Sequence, residues 1–104
     1  MTTYFVSRHP GAVAWAVQQR LHVDSVVVHL DPTLVQPGDT VIGSLPVHLA
    51  AQVCQRGAAY WHLSLDLPAH LRGCELSAAD MQQMDAQLHP YHVEPLATTF
   101  HISP

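Results

Sequence analysis

Apolar positions come in short blocks whose period changes along the chain. Residues 3–7 (TYFVS) are β-branched and aromatic and predict a first strand. Pro10 then suits the first turn of a helix, where a missing N–H costs nothing. The segment 10–21 (PGAVAWAVQQRL) is rich in helix formers, with Val13, Trp15, Ala16 and Val17 giving it an apolar side. Residues 23–30 (VDSVVVHL) predict a second strand, and three consecutive valines predict burial on both faces. The stretch 31–39 (DPTLVQPGD) reads as a loop, punctuated by two prolines and a glycine, with Asp31 in an Asx-type turn.

Residues 40–43 (TVIG) predict a third strand. Ser44 is placed to cap a second helix over 45–56 (LPVHLAAQVCQR), and Gly57 to stop it. A fourth strand is expected over 59–67 (AYWHLSLDL), where Tyr60, His62, Ser64 and Asp66 alternate with Trp61, Leu63, Leu65 and Leu67. On that pattern His62 and Ser64 point into packing between layers. After a loop over 68–76, Ser77 and Asp80 match a capping box for a third helix, 78–88. The tail from 89 has three prolines and little periodicity, with room for a short edge strand around 91–94.

Two strand–helix–strand units imply a parallel sheet, because right-handed crossovers are nearly obligatory. The nine-residue loop between strands two and three carries no helix, so either it crosses over unusually or the two units lie side by side, and the side-by-side order is favoured. The expected fold class is α/β: a small doubly wound, Rossmann-like, mostly parallel sheet of about four strands, order 2-1-3-4, with about three helices. The whole chain, 1–104, reads as one domain. A ligand crevice is expected where the direction of winding reverses, between strands one and three.

Composition narrows the function. Hydrophobic residues make up 48% and charged residues 12%, the second about half the usual fraction. A surface so short of charge favours continuation into a partner, and a homodimer is the expectation. The formal charge is −4, there is no lysine, and the arginines are Arg8, Arg20, Arg56 and Arg72. That excludes a broad basic face for long nucleic acid. It leaves room for a small anion held by one or two arginines and backbone amides.

Cys54 and Cys74 stand 20 residues apart with no CxxC pair, so neither a zinc ribbon nor a disulfide framework is indicated. The nine histidines are scattered, without HExxH or HxH, which argues against a dedicated zinc site; no cofactor is expected. GxGxxG, GxxxxGK[ST] and GxSxG are all missing. The first residues lack the basic and long apolar regions of a signal peptide. No apolar run approaches the roughly 18 residues of a membrane span. A soluble, cytoplasmic protein is expected.

Two strand-to-helix elbows carry the chemistry. After strand one the chain reads SRHP; after strand three it reads GSLPVH. Each helix start offers free N–H groups and a positive dipole end, which suits phosphate. Ser7 and Ser44 add hydroxyls, and Leu45 stands at the second helix start beside Ser44. Arg8 adds a guanidinium whose forked donors match phosphate. His9 and His48 are donors that can carry a proton. Serine caps and proline starts are also ordinary structure, but a cap needs neither Arg8 nor His9. His48 reads equally as a solvent-facing helix residue. Asp66, in LSLDLP, either orients an arginine or histidine or caps the turn before Pro68. Arg72 (HLRGCEL) either folds over a ligand or is solvated.

The stretches YFVSRHPGAVAWA, HLD, QPGDTVIGSLPVHLAAQVC and YWHLSLDLPAHLRGCELS resemble the Csx-sixteen family of small accessory proteins from type III CRISPR loci. The resemblance runs from about residue 4 to residue 92. It implies a nucleotide-binding domain related to the CARF (CRISPR-associated Rossmann) fold, usually dimeric, that binds cyclic oligoadenylate across a two-fold axis. It further implies ring nuclease activity, the cleavage of cyclic tetra-adenylate that switches off antiviral signalling.

On that reading the ribose 2′-hydroxyl attacks without metal. Arg8 and the first elbow's amides stabilise phosphoryl charge, and His9 is the general acid or base. Ser7, Ser44 and Leu45 hold phosphate, with His48 and Asp66 in second rank. Two alternatives stay open: a module that binds or sequesters the ring without cutting it, and an interaction protein for other CRISPR components.

Overall fold

The computed structural model describes residues 1–66, 68, 70, 73 and 75–97. Arg72 and Cys74 lie outside the described residues, as does the tail from 98. The elements are β1 (Thr3–Val6), α1 (Pro10–Gln18), β2 (Ser25–Val27), a 3₁₀ turn (Pro32–Leu34), β3 (Thr40–Gly43), α2 (Val47–Gln55), β4 (Ala59–Ser64), α3 (Ala78–Gln83) and β5 (Gln87–Tyr91). The sheet order is β2-β1-β3-β4-β5. The first four strands are parallel, with Phe5 level with Val26 and Ile42, and Val41 level with Tyr60. β5 runs antiparallel along β4.

Successive strand residues face opposite sides of a sheet, and here each side has its own helices. Phe5, Ile42 and Leu63 pack with Ala12, Trp15 and Ala16 of α1 and with Ala78 and Met81 of α3. Val41 and Tyr60 pack on the other face with Ala50 and Val53 of α2 and with Val35 and Ala58. Phe5, fully buried, anchors the first cluster; truncating such a side chain costs about 3–5 kcal/mol. With α1 and α2 on opposite faces, the winding reverses between β1 and β3. This is a small Rossmann-like, doubly wound α/β fold. Among the described residues no helix is long and apolar enough to cross a membrane.

The expected order 2-1-3-4 is retained and extended by a fifth strand. The departures have local causes. The second strand spans three residues rather than 23–30 and sits at the sheet edge, so Val26 and Val28 are about half exposed, not buried on both faces. The first helix stops at Gln18 because Arg20 adopts a left-handed backbone, φ 59°. Asp85, φ 55°, does the same after the third helix, which ends at Gln83 instead of 88. The chain then turns back as β5, earlier than the expected 91–94. Pro90 is tolerated there because edge strands can spare a ladder N–H. The fourth strand ends at Ser64, and the Asp66 amide donates to the Met84 carbonyl at 2.8 Å. The capping box of Ser77 and Asp80 and the left-handed Gly57 after the second helix are as expected.

Candidate functional site

The carboxyl ends of the parallel strands open on a cleft of about 1150 Å³. Ser7, Arg8 and His9 line it from the first elbow, and Ser44, Leu45 and Pro46 from the second. His29 enters from beyond β2, His62 and Ser64 from the end of β4, and Glu75 from the approach to α3. The strand order makes this convergence: β1 and β3 are neighbours, so the turns that leave them are neighbours too.

At the first elbow the Ser7 amide donates to the Val27 carbonyl at 2.9 Å, carrying the β1–β2 pairing one residue further. The His9 amide donates to the Ser7 hydroxyl oxygen at 3.1 Å. Ser7 therefore accepts within the turn and keeps its own proton for a ligand. The amides of Ala12 and Val13 both return to the His9 carbonyl, at 3.0 and 3.4 Å. Arg8 is exposed and is the one arginine that lines the cleft among the described residues. Arg56, by contrast, clips the 3₁₀ region through the carbonyls of Val35 and Thr33, at 2.8 and 3.0 Å.

The second elbow is wired differently. The Ser44 hydroxyl donates to the Leu63 carbonyl at 2.5 Å, so it ties β3 to β4. Ser44 is not the helix cap. That position is Pro46, with no side-chain cap, and the helix begins at Val47. The amides of Leu49 and Ala50 return to the Pro46 carbonyl, which leaves the first-turn amides of Val47 and His48 without a helical acceptor. The Leu45 amide donates to the Tyr60 hydroxyl at 3.0 Å and so is already paired.

Tyr60 is 3% exposed, and burial raises its phenol above the ordinary value of 10.0. Its oxygen also lies 3.1 Å from the Gly43 carbonyl and 2.6 Å from Nδ1 of His62. Among the described residues, no three His, Cys, Asp or Glu side chains converge to hold a metal ion.

The family model described as "Putative CRISPR-associated protein (Cas_VVA1548)" matches residues 4–94. The chain belongs to this family. The match covers both elbows and every residue named above as lining the cleft. Searches of curated proteins and of solved structures gave no match.

In this CRISPR-associated protein the cleft gathers five of the seven site residues expected from sequence: Ser7, Arg8, His9, Ser44 and Leu45. His48 and Asp66 are exposed and do not line it. His48 is exposed on α2, the solvent-facing one of its two expected readings, and the Asp66 amide donates to the Met84 carbonyl beside α3. His62 and Ser64, expected to point into packing between layers, also border the cleft. His29 and Glu75 were also missed. The usable signal for His62 and Ser64 was position: they close a parallel strand at its carboxyl end, where doubly wound folds place ligands.

Proposed function

We propose that this CRISPR-associated protein is a ring nuclease of the Csx-sixteen type. It binds cyclic oligoadenylate, with cyclic tetra-adenylate the first choice, and cleaves it. The observation that carries the reading is the convergence of the SRHP and GSLPVH turns on one cleft with Arg8 on its rim. A guanidinium and a free serine proton at a strand-to-helix turn suit one phosphodiester. The cleft is of a size to take nucleotide units.

The substrate supplies its own nucleophile. The ribose 2′-oxygen attacks the adjacent phosphorus, the bond from phosphorus to the 5′-oxygen breaks, and a 2′,3′-cyclic phosphate forms. The 2′-hydroxyl proton goes to a base, and the departing 5′-oxygen takes one up. Arg8 offsets the growing charge on the phosphoryl oxygens. Ser7 orients the phosphate, and His9 moves a proton, a role that contributes about 10²–10⁴-fold. Because the Ser44 hydroxyl and the Leu45 amide are engaged with Leu63 and Tyr60, they shape the wall of the cleft. A homodimer would set two such clefts around a two-fold symmetric ring and concentrate positive charge locally on an acidic chain.

The test is incubation of purified protein with cyclic tetra-adenylate in chelator, followed by chromatography. Linear adenylates ending in 2′,3′-cyclic phosphate are expected, and loss of them in Arg8→Ala and His9→Ala. An intact ring that still raises the melting temperature would make the protein a binding module. An intact ring with no thermal shift would remove the cleft from consideration.

A further inference from the structure

Tyr60 sits where a hydroxyl has more neighbours than protons. A phenol has one proton to donate and two lone pairs to accept with. The Leu45 amide takes one lone pair, since an N–H can only donate. The Gly43 carbonyl can only accept, and at 3.1 Å it draws the phenol proton in a buried bond. One lone pair remains for the third neighbour, Nδ1 of His62 at 2.6 Å. With the phenol proton on the Gly43 carbonyl, Nδ1 is the donor to the phenol oxygen. The opposite arrangement, with the phenol donating to Nδ1, is the one the nitrogen spectrum below tells apart.

On that arrangement Nδ1–H faces Tyr60 and Nε2 is the ring atom left to accept a proton from a ligand. The ring is also held from two sides. Tyr60 and Tyr91 meet it edge-on, with centroids 5.8 and 5.9 Å away and interplanar angles of 66° and 88°. His62 borders the cleft, and Nε2 has no protein partner among the described residues.

Building on the cleavage reading, we infer that His62 is the general base of the cleft and that Tyr60 is its positioning residue, holding it as the Nδ1–H tautomer. Nε2 takes the 2′-hydroxyl proton, and His9 returns a proton to the 5′-oxygen. The phenol stays neutral throughout, in keeping with its burial. His89 stands opposite His62 on β5, and the other titratable or charged groups that line the same cleft are Arg8 and His9 from the first elbow, His29 from beyond β2 and Glu75 from the approach to α3.

The first measurement needs no substrate. Nitrogen NMR of histidine-labelled protein, with His62→Gln assigning the signal, should show the neutral ring protonated on Nδ1. A proton on Nε2 overturns the tautomer assignment. The second is single-turnover cleavage of cyclic tetra-adenylate across pH. His62→Gln should cut about 10²–10⁴-fold more slowly while the ring still raises its melting temperature. Tyr60→Phe should slow cleavage less than His62→Gln does, displace the rising limb of the pH profile and lose the Nδ1–H signature. A His62→Gln protein that cuts at the wild-type rate overturns the role of His62. No cleavage by the wild-type chain sinks the cleavage reading and the base with it, and the NMR result then still decides what Tyr60 does.

Discussion

A Cβ placed on Gly11 would come within 1.7 Å of the Leu76 carbonyl oxygen and 2.6 Å of its carbon. The second residue of α1 thus rests against the backbone that leads into α3. The obstacle is main chain, which cannot swing aside as a side chain can. It also explains why a glycine stands in the first turn of a helix that is otherwise rich in alanine and valine.

Gly11→Ala is therefore expected to destabilise at or above the upper end of the usual overpacking range, about 3 kcal/mol. For a chain of this size that lowers the melting temperature by at least about 10 °C. Thermal unfolding followed by circular dichroism measures it. A variant melting within a few degrees of wild type would mean that α1 does not seat on Leu76. Since the first elbow runs straight into this contact, ring binding should weaken along with stability.

Arg8 gives the opposite pattern. Its side chain is exposed and holds no structural bond among the described residues, so Arg8→Ala should melt like wild type. Its loss removes a charge-assisted bond to phosphate, about 1.5–3 kcal/mol, or roughly 10–100-fold in ring affinity. Wild-type binding should also weaken more steeply with salt than binding by the variant. Titration of cyclic tetra-adenylate at two salt concentrations reads both effects. Equal affinities would place the anion elsewhere.

The sheet was legible because strand order follows from local rules. The two strand–helix–strand units, their handedness and the short loop between them left one natural arrangement, and that arrangement put Ser7 beside Ser44. Boundaries were less legible where one backbone angle decided them. Nothing in the composition of Arg20 or Asp85 announces a left-handed turn, yet these residues end two helices. The valine run misled because an edge strand and a central strand can share a sequence, and only neighbours distinguish them. In the site, residue types were readable but hydrogen-bond directions were not. Ser44 looks like Ser7 in sequence, and its hydroxyl goes to Leu63 because β4 happens to end there. The Tyr60–His62 pair was hidden for a related reason: an alternating strand says which residues share a face, not which of them meet at the rim.

The two serines should accordingly separate. Ser44→Ala loses the bond between β3 and β4, which costs about 0.5–1.5 kcal/mol of stability, and should change ring affinity little. Ser7→Ala loses the acceptor for the His9 amide and a hydroxyl donor to phosphate. Its expected deficit is in ring binding, about 3–10-fold, on the order of 0.5–1.5 kcal/mol for a neutral hydrogen bond. Parallel melting curves and ring titrations of the two variants compare them. A Ser44→Ala protein that melts normally but fails to bind the ring would reverse the assignment.

Acid stability turns on Asp39, the buried carboxylate before β3, which is 4% exposed. Its carboxylate accepts from the amides of Gln36 and Thr2, each at 2.8 Å, and so pins the chain start to the loop before β3. Those amide bonds, that from Gln36 first, hold its pKa below the ordinary value of 3.8. As pH falls the unfolded chain binds the proton first. The contribution of Asp39 is therefore complete above the ordinary value and is lost as pH drops through the lowered one. Asp24, held by the Thr3 amide, Asp31, held by the Thr33 hydroxyl, and Asp80, held by the Ser77 amide, shift in the same direction. Asp39→Asn should melt lower than wild type near neutral pH, because a neutral amide accepts less well from two N–H groups. Between about pH 5 and pH 2 the two melting curves should converge, since the variant has already lost what acid removes. Curves that stay parallel down to about pH 2 would show that the carboxylate's charge does not hold this corner of the sheet.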